Sequence, residues 1–161
     1  MAIDRSVAQI RAASREMVRQ LGLLNNRFSE IGSISQCYAL VELDTHGTMN
    51  LGQLSTILNL EKSTTSRLVT QLYENGICHI QPDENDLRNK LISLTKKGVG
   101  LANKIHSEAK SQVKHALSLM SEEDRDTVAN GLSIYAQALK QSGLQNEKKF
   151  RKIPKKNNPP I

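Results

Sequence analysis

A mainly α fold with one β-hairpin set into it is predicted by three observations. Apolar residues recur at three- and four-residue spacings through most of the chain, the spacing of an amphipathic helix. Between Ile77 and Leu94 that period gives way to two strand-like runs around a polar stretch. Aromatic residues are 3% of the 161 and Trp is absent, so the core must come from Leu, Ile, Val, Ala and Met, a composition that favours helices.

Residues 4 to 24 place Val7, Ile10, Met17, Leu21 and Leu24 on one side of a helix, with Arg5, Arg11, Arg15 and Arg19 between them. Asn25, Asn26 and Gly32 break the pattern. Ser35 to Leu43 then predicts a short apolar-rich helix closed by the turn residues Thr45 to Gly47. Asn50 predicts the cap of the next helix, because Gln53 three residues on can answer it in a capping box, and Leu51, Leu54, Ile57 and Leu58 supply the apolar side. A turn at Asn59 to Lys62 leads to a helix over Ser63 to Glu74 that buries Leu68, Val69 and Leu72. Asn75-Gly76 stops it, since Gly accepts the left-handed conformation.

Ile77 to Gln81 and Lys90 to Leu94 predict the hairpin, joined by the turn formers and charges of PDENDLRN. Thr95 caps a long helix over 96 to 120, with Gly98, Leu101, Ile105, Ala109, Val113, Ala116 and Met120 along one face. Ser121 and Asp124 open a last helix in the S-x-x-D manner; Val128, Leu132, Tyr135 and Leu139 mark its apolar side and Ser142-Gly143 its end. Residues 144–161 hold six basic residues and three prolines with little to bury, so this basic tail is predicted to be disordered.

The net charge of +6 is concentrated in that tail, where six cations face Glu147 alone and leave about +1 for the rest of the chain. A nucleic-acid partner must therefore be argued from pattern. Apolar runs fall far short of the roughly 20 residues that cross a bilayer, and MAIDRSVAQ has no signal-peptide core, so no membrane role is expected. Cys37 and Cys78 have neither metal-ligand nor redox spacing, and His46, His106 and His115 show no ligand spacing, so no metal or cofactor is expected and the compartment is read as cytoplasmic. No nucleophile elbow or phosphate loop is present, so an enzyme is not expected.

Two short helices, a tight turn, a hairpin and a further helix follow the order of a winged helix-turn-helix. The second helix of such a module buries one side and offers the other to the major groove, with short polar residues near its N-terminus. Lys62, Ser63, Thr64, Ser66 and Arg67 suit phosphate and base-edge contacts there. At the hairpin tip Arg88 is expected to enter a minor groove beside Asn89 and Lys90, with Asp86 bracing its guanidinium and holding the turn.

The run from Asn50 to Gly98 resembles the DNA-binding core of the MarR family of bacterial transcriptional regulators. The resemblance rests on the S-T-x-S-R-L-V run at Ser63 to Val69, the Leu72 to Gly76 ending, the D-x-R-x-K of Asp86, Arg88 and Lys90, and the L-T-x-x-G of Leu94, Thr95 and Gly98. Thr65 stands where that family's recognition helix usually has an apolar residue, and Ile80 where its first wing strand is commonly polar. The resemblance implies a winged helix over 34–95 and dimerisation helices over 1–32 and 96–143. It implies an effector crevice between them, for which Met17, Leu21, Cys37 and Tyr38 are candidates.

The expected protein is thus a homodimer that binds a pseudo-palindromic operator in double-stranded DNA, with recognition helices in successive major grooves about 10 bp apart, and acts as a repressor released by a small-molecule effector. Because IRAASREMVRQLGLL resembles the start of MarR-type domains fused to acetyltransferases, an alternative is a regulatory module that partners an acetyltransferase and binds DNA poorly. A thiol-based oxidant sensor through Cys37 is a third.

Overall fold

The computed structural model describes residues 2–24, 32–84 and 86–143. The break expected at Asn25 and Asn26 and the basic tail lie outside the described residues. Nine elements follow in order: α1 (Ala2–Gln20), α2 (Ile34–His46), β1 (Met49–Asn50), α3 (Leu51–Ile57), α4 (Lys62–Glu74), β2 (Cys78–Asp83), β3 (Asp86–Leu94), α5 (Lys96–Ser118) and α6 (Glu122–Ser142). Two units are distinguished, Met1–Ser111 and Gln112–Ile161.

In the first unit, two capping boxes fix where helices begin. Ser33 accepts from the backbone N–H of Gln36 while the Gln36 side chain accepts from that of Ser33 at 2.8 Å, which starts α2. Asn50 and Gln53 do the same for α3, at 2.8 and 2.9 Å. The α3–α4 turn passes through Asn59 at φ 53°, a left-handed position that Asn tolerates better than most residues. Gly76, at φ 67°, closes α4.

The sheet has the order β1-β3-β2 and is antiparallel throughout. Met49 pairs with Ile92 and Asn50 with Leu91, so the short β1 widens the hairpin into a three-stranded sheet. β2 and β3 pair from Cys78–Leu94 through Pro82–Lys90 to Asp83–Asp86, with an irregularity at Pro82/Asp83. Pairing therefore runs well into the segment expected to be loop.

Leu40 and Leu43 of α2, Leu54 of α3, Leu68, Val69 and Leu72 of α4, Ile77, Cys78 and Ile92 of the sheet, and Ala102 and Ile105 of α5 form one buried cluster. Thr65 is fully buried with them; its hydroxyl donates to the Glu61 carbonyl at 3.1 Å, so the departure from an apolar residue leaves no unsatisfied polar atom. Ile80 is half-buried against the same cluster, which accounts for an apolar residue in the first wing strand.

α1 keeps Ile3, Val7, Ile10 and Met17 exposed. Its Glu16 carboxyl is held below the usual range by the Gln20 amide and the Arg19 guanidinium. In the second unit, Ser121 caps α6 by accepting from Asp124 N–H at 3.1 Å, and Arg125 Nε donates to the Leu117 carbonyl at 2.8 Å. No residue of α6 is buried: Val128, Leu132, Ile134, Tyr135 and Leu139 are all exposed.

Candidate nucleic-acid interface

α4 is amphipathic in the sense a groove-reading helix requires. Thr65, Leu68, Val69 and Leu72, at the i, i+3, i+4, i+7 spacing, are buried; Lys62, Ser63, Thr64, Ser66, Arg67 and Thr70 are exposed. The five expected recognition-helix residues therefore lie together on the solvent side. Arg67 Nε donates to the Ser63 carbonyl one turn back at 3.3 Å, which holds the guanidinium along the helix. Thr70 hydroxyl donates to the Ser66 carbonyl at 3.0 Å. Thr70 continues the exposed row beyond Arg67 and was missed in the sequence, although its four-residue step from Ser66 was available there.

The wing corrects one expectation. Arg88 is not at the hairpin tip: it lies within β3, which begins at Asp86, and so does Asn89. Asp86 does not grip the Arg88 guanidinium. Its Oδ1 accepts from the Arg88 backbone N–H at 3.0 Å and its Oδ2 from the Asn89 side-chain amide at 3.0 Å. That arrangement lets pairing continue to Asp83–Asp86, and it leaves the Arg88 side chain exposed. Asn89 is half-buried and tied within the wing, whereas Lys90 is exposed.

Contacts at two places set the position of α4. At its C-terminal end, Thr95 hydroxyl donates to the Gly76 carbonyl at 2.8 Å and accepts from Gly98 N–H at 3.1 Å, while Lys97 Nζ donates to the Asn75 carbonyl at 2.9 Å. A Cβ on Gly98 would stand 2.2 Å from the Ile77 carbonyl oxygen, so only glycine allows α5 to start this close to the turn after α4. This is the physical content of the L-T-x-x-G spacing. On the other side, Gln36 of the α2 capping box donates to Gln71 of α4 at 3.2 Å, a contact no sequence signal announced.

The four residues expected to line an effector crevice differ in exposure. Cys37 is 2% exposed and belongs to the core, while Tyr38 next to it faces solvent; Met17 is exposed and Leu21 half-buried. Cys78 is also buried, and burial pushes its thiol up to about 11. His46 sits 3.3 Å from Glu42 and His106 3.5 Å from Asp44, and no group of three metal-ligating side chains occurs among the described residues.

A buried-backed helix following a tight turn, with a cation-bearing hairpin locked beside it, defines a winged helix-turn-helix. Residues 33–90, about a third of the chain, match the model of the MarR family. The HTH-type transcriptional regulator YfiV of Bacillus subtilis is 27% identical over 107 residues, 66% of this chain and 67% of its own length. The fold is shared with Streptococcus pneumoniae FabT, solved in complex with DNA (23% identity, 87% of this chain and 96% of that one, TM-score 0.67). It is shared also with PcaV of Streptomyces coelicolor, solved with its natural ligand (20% identity, 80% and 91%, TM-score 0.65). No helix among the described residues is long and apolar enough to cross a membrane.

Proposed function

We infer that this chain reads DNA sequence as a homodimeric, ligand-responsive repressor. The observation that carries this is the exposed row of hydroxyls and Arg67 on α4, flanked by Arg88 and Lys90 on the wing. Short donors beside a guanidinium suit base edges and phosphates, and the capping and latching contacts around α4 hold them in a fixed frame, which readout requires. The DNA-bound FabT structure supports the same use of this fold.

A second copy of the chain is the partner that the apolar residues of α1 and α6 call for, because nothing among the described residues covers them. Two recognition helices on a symmetric dimer then face half-sites about 10 bp apart, so the operator is pseudo-palindromic. An effector acts beside α1 and α2; that this fold can take a ligand is supported by PcaV, solved with its natural ligand. It releases DNA by binding more tightly to a dimer whose helices no longer match that spacing. Gln36, which bridges α2 to α4, lies between that region and the recognition helix.

The test is selection of duplexes from a random-sequence pool by the full chain and by the chain ending at Gly143, followed by affinity at two salt concentrations. A preferred sequence is expected from both, surviving the higher salt, with Arg67→Ala costing about 1–3 kcal/mol and relaxing preference at one base pair. Equal, steeply salt-sensitive binding to every duplex would mean that the winged helix serves a partner protein instead.

A further inference from the structure

A cleft of about 410 Å³ lies between α4 and the wing, lined by Tyr73, Ile80, Gln81, Pro82, Asn89 and Lys90. Its two walls are the two elements proposed to enter adjacent grooves of DNA. The strand of the duplex that separates a major groove from the neighbouring minor groove must then pass between those walls. Resting on that reading, the geometry points to this cleft as the seat of a backbone phosphodiester, with Tyr73 and Lys90 as its phosphate contacts.

The chemistry of the lining fits a sugar-phosphate better than a base. In β3, residues 90, 92 and 94 alternate onto one face of the sheet, and Ile92 on that face is core. Lys90 pairs with Pro82 next to the Ile80–Ile92 pair, so its ammonium rises from an apolar floor on the side facing α4. On α4, Lys62, Ser66 and Tyr73 fall at i, i+4 and i+11, one edge of the helix. Tyr73 is 53% exposed, and neither its hydroxyl nor the Lys90 ammonium has a hydrogen-bond partner among the described residues. An apolar floor of Ile80 and Pro82 suits deoxyribose; a phenol and an ammonium above it suit phosphate oxygens.

The same geometry divides the labour on α4. Ser63, Arg67 and Thr70 lie one step round the helix from that edge, farther from the buried stripe, and take the base edges. The Lys62–Tyr73 edge takes backbone and carries affinity without sequence information.

The experiment uses the full chain and a duplex selected by it, with one phosphate at a time replaced by a neutral methylphosphonate. One position in each half-site, between the recognised major groove and the flanking minor groove, should cost the wild type about tenfold in affinity. In Lys90→Met and in Tyr73→Phe that cost should shrink severalfold, and repeated selection should return the wild-type sequence, whereas Arg67→Ala should change it. If no methylphosphonate loses its effect in either variant, or if either variant alters the selected sequence, the cleft does not seat the backbone. The regulator would still stand on the wild type's selection. If the wild type selects no duplex, sequence reading and the cleft's occupant fall together.

Discussion

The lobe built from α2 to the start of α5 and the terminal helices α1 and α6 are opposite solutions to the same helical pattern. In the lobe, periodic apolar residues end in a shared core: Leu40, Leu54 and Leu72 come from three different helices and none is exposed. In α1 and α6, equally regular stripes reach solvent, with Val7 at 47% and Leu132 at 50% exposure. A stripe specifies that a helix will be covered, not what covers it. The lobe satisfies its own stripes within one chain, and those of α1 and α6 remain exposed.

The sharpest contrast comes from truncating one side chain in each region. Leu72→Ala, in the lobe, should lose about 2–5 kcal/mol, visible as a large fall in the thermal midpoint. Leu132→Ala should leave the unfolding of a dilute, single-chain sample nearly unchanged and weaken self-association instead, measured by sedimentation. Equal loss of stability in both variants at low protein concentration would break the contrast. Next in size, Gly98→Ala must push a Cβ against the Ile77 carbonyl, so it should destabilise by about 1–3 kcal/mol and loosen α4 enough to lower DNA affinity.

Burial can also be read chemically. Cys78, held up to about 11 by desolvation, should resist alkylation at pH 8 in the folded protein and react once unfolded. The sign of the linkage follows. The unfolded thiol ionises near its ordinary value of 9.0 while the folded one does not, so this group's contribution to stability is complete below pH 9 and falls away between there and about 11. Fast alkylation of folded Cys78 would contradict its place in the core. The smallest effect is expected from Thr65→Val, which keeps the shape and leaves the Glu61 carbonyl with its helical donors; a change under about 1 kcal/mol is expected by chemical denaturation.

Much of this organisation was legible in local signals. The Asn50–Gln53 box, the Asn75-Gly76 stop, the Ser121 cap and the buried side of α4 each depend on residues within a few positions of one another. What was not legible depends on partners distant in sequence. The two residues of β1 are a strand only because β3 offers them a free edge, and nothing in Met49–Asn50 says so. The hairpin's true length was hidden because PDENDLRN has turn composition throughout; the Asp86 carboxylate and the Pro82/Asp83 irregularity turn most of it into strand, and carry Arg88 away from the tip. Among the residues proposed to contact DNA, the N-terminal cluster of α4 was visible as composition. Tyr73 was not, because its significance comes from facing Lys90 across a cleft.

The most direct test joins the two regions in one measurement: the stoichiometry and affinity of the full chain on the selected duplex, compared with a duplex whose half-sites are moved apart by 5 bp. Two chains per duplex are predicted, with a loss of at least about tenfold when the half-sites are moved onto opposite faces of the helix. One chain bound to a single half-site, with affinity indifferent to the spacing, would contradict a dimer that reads DNA through paired winged helices.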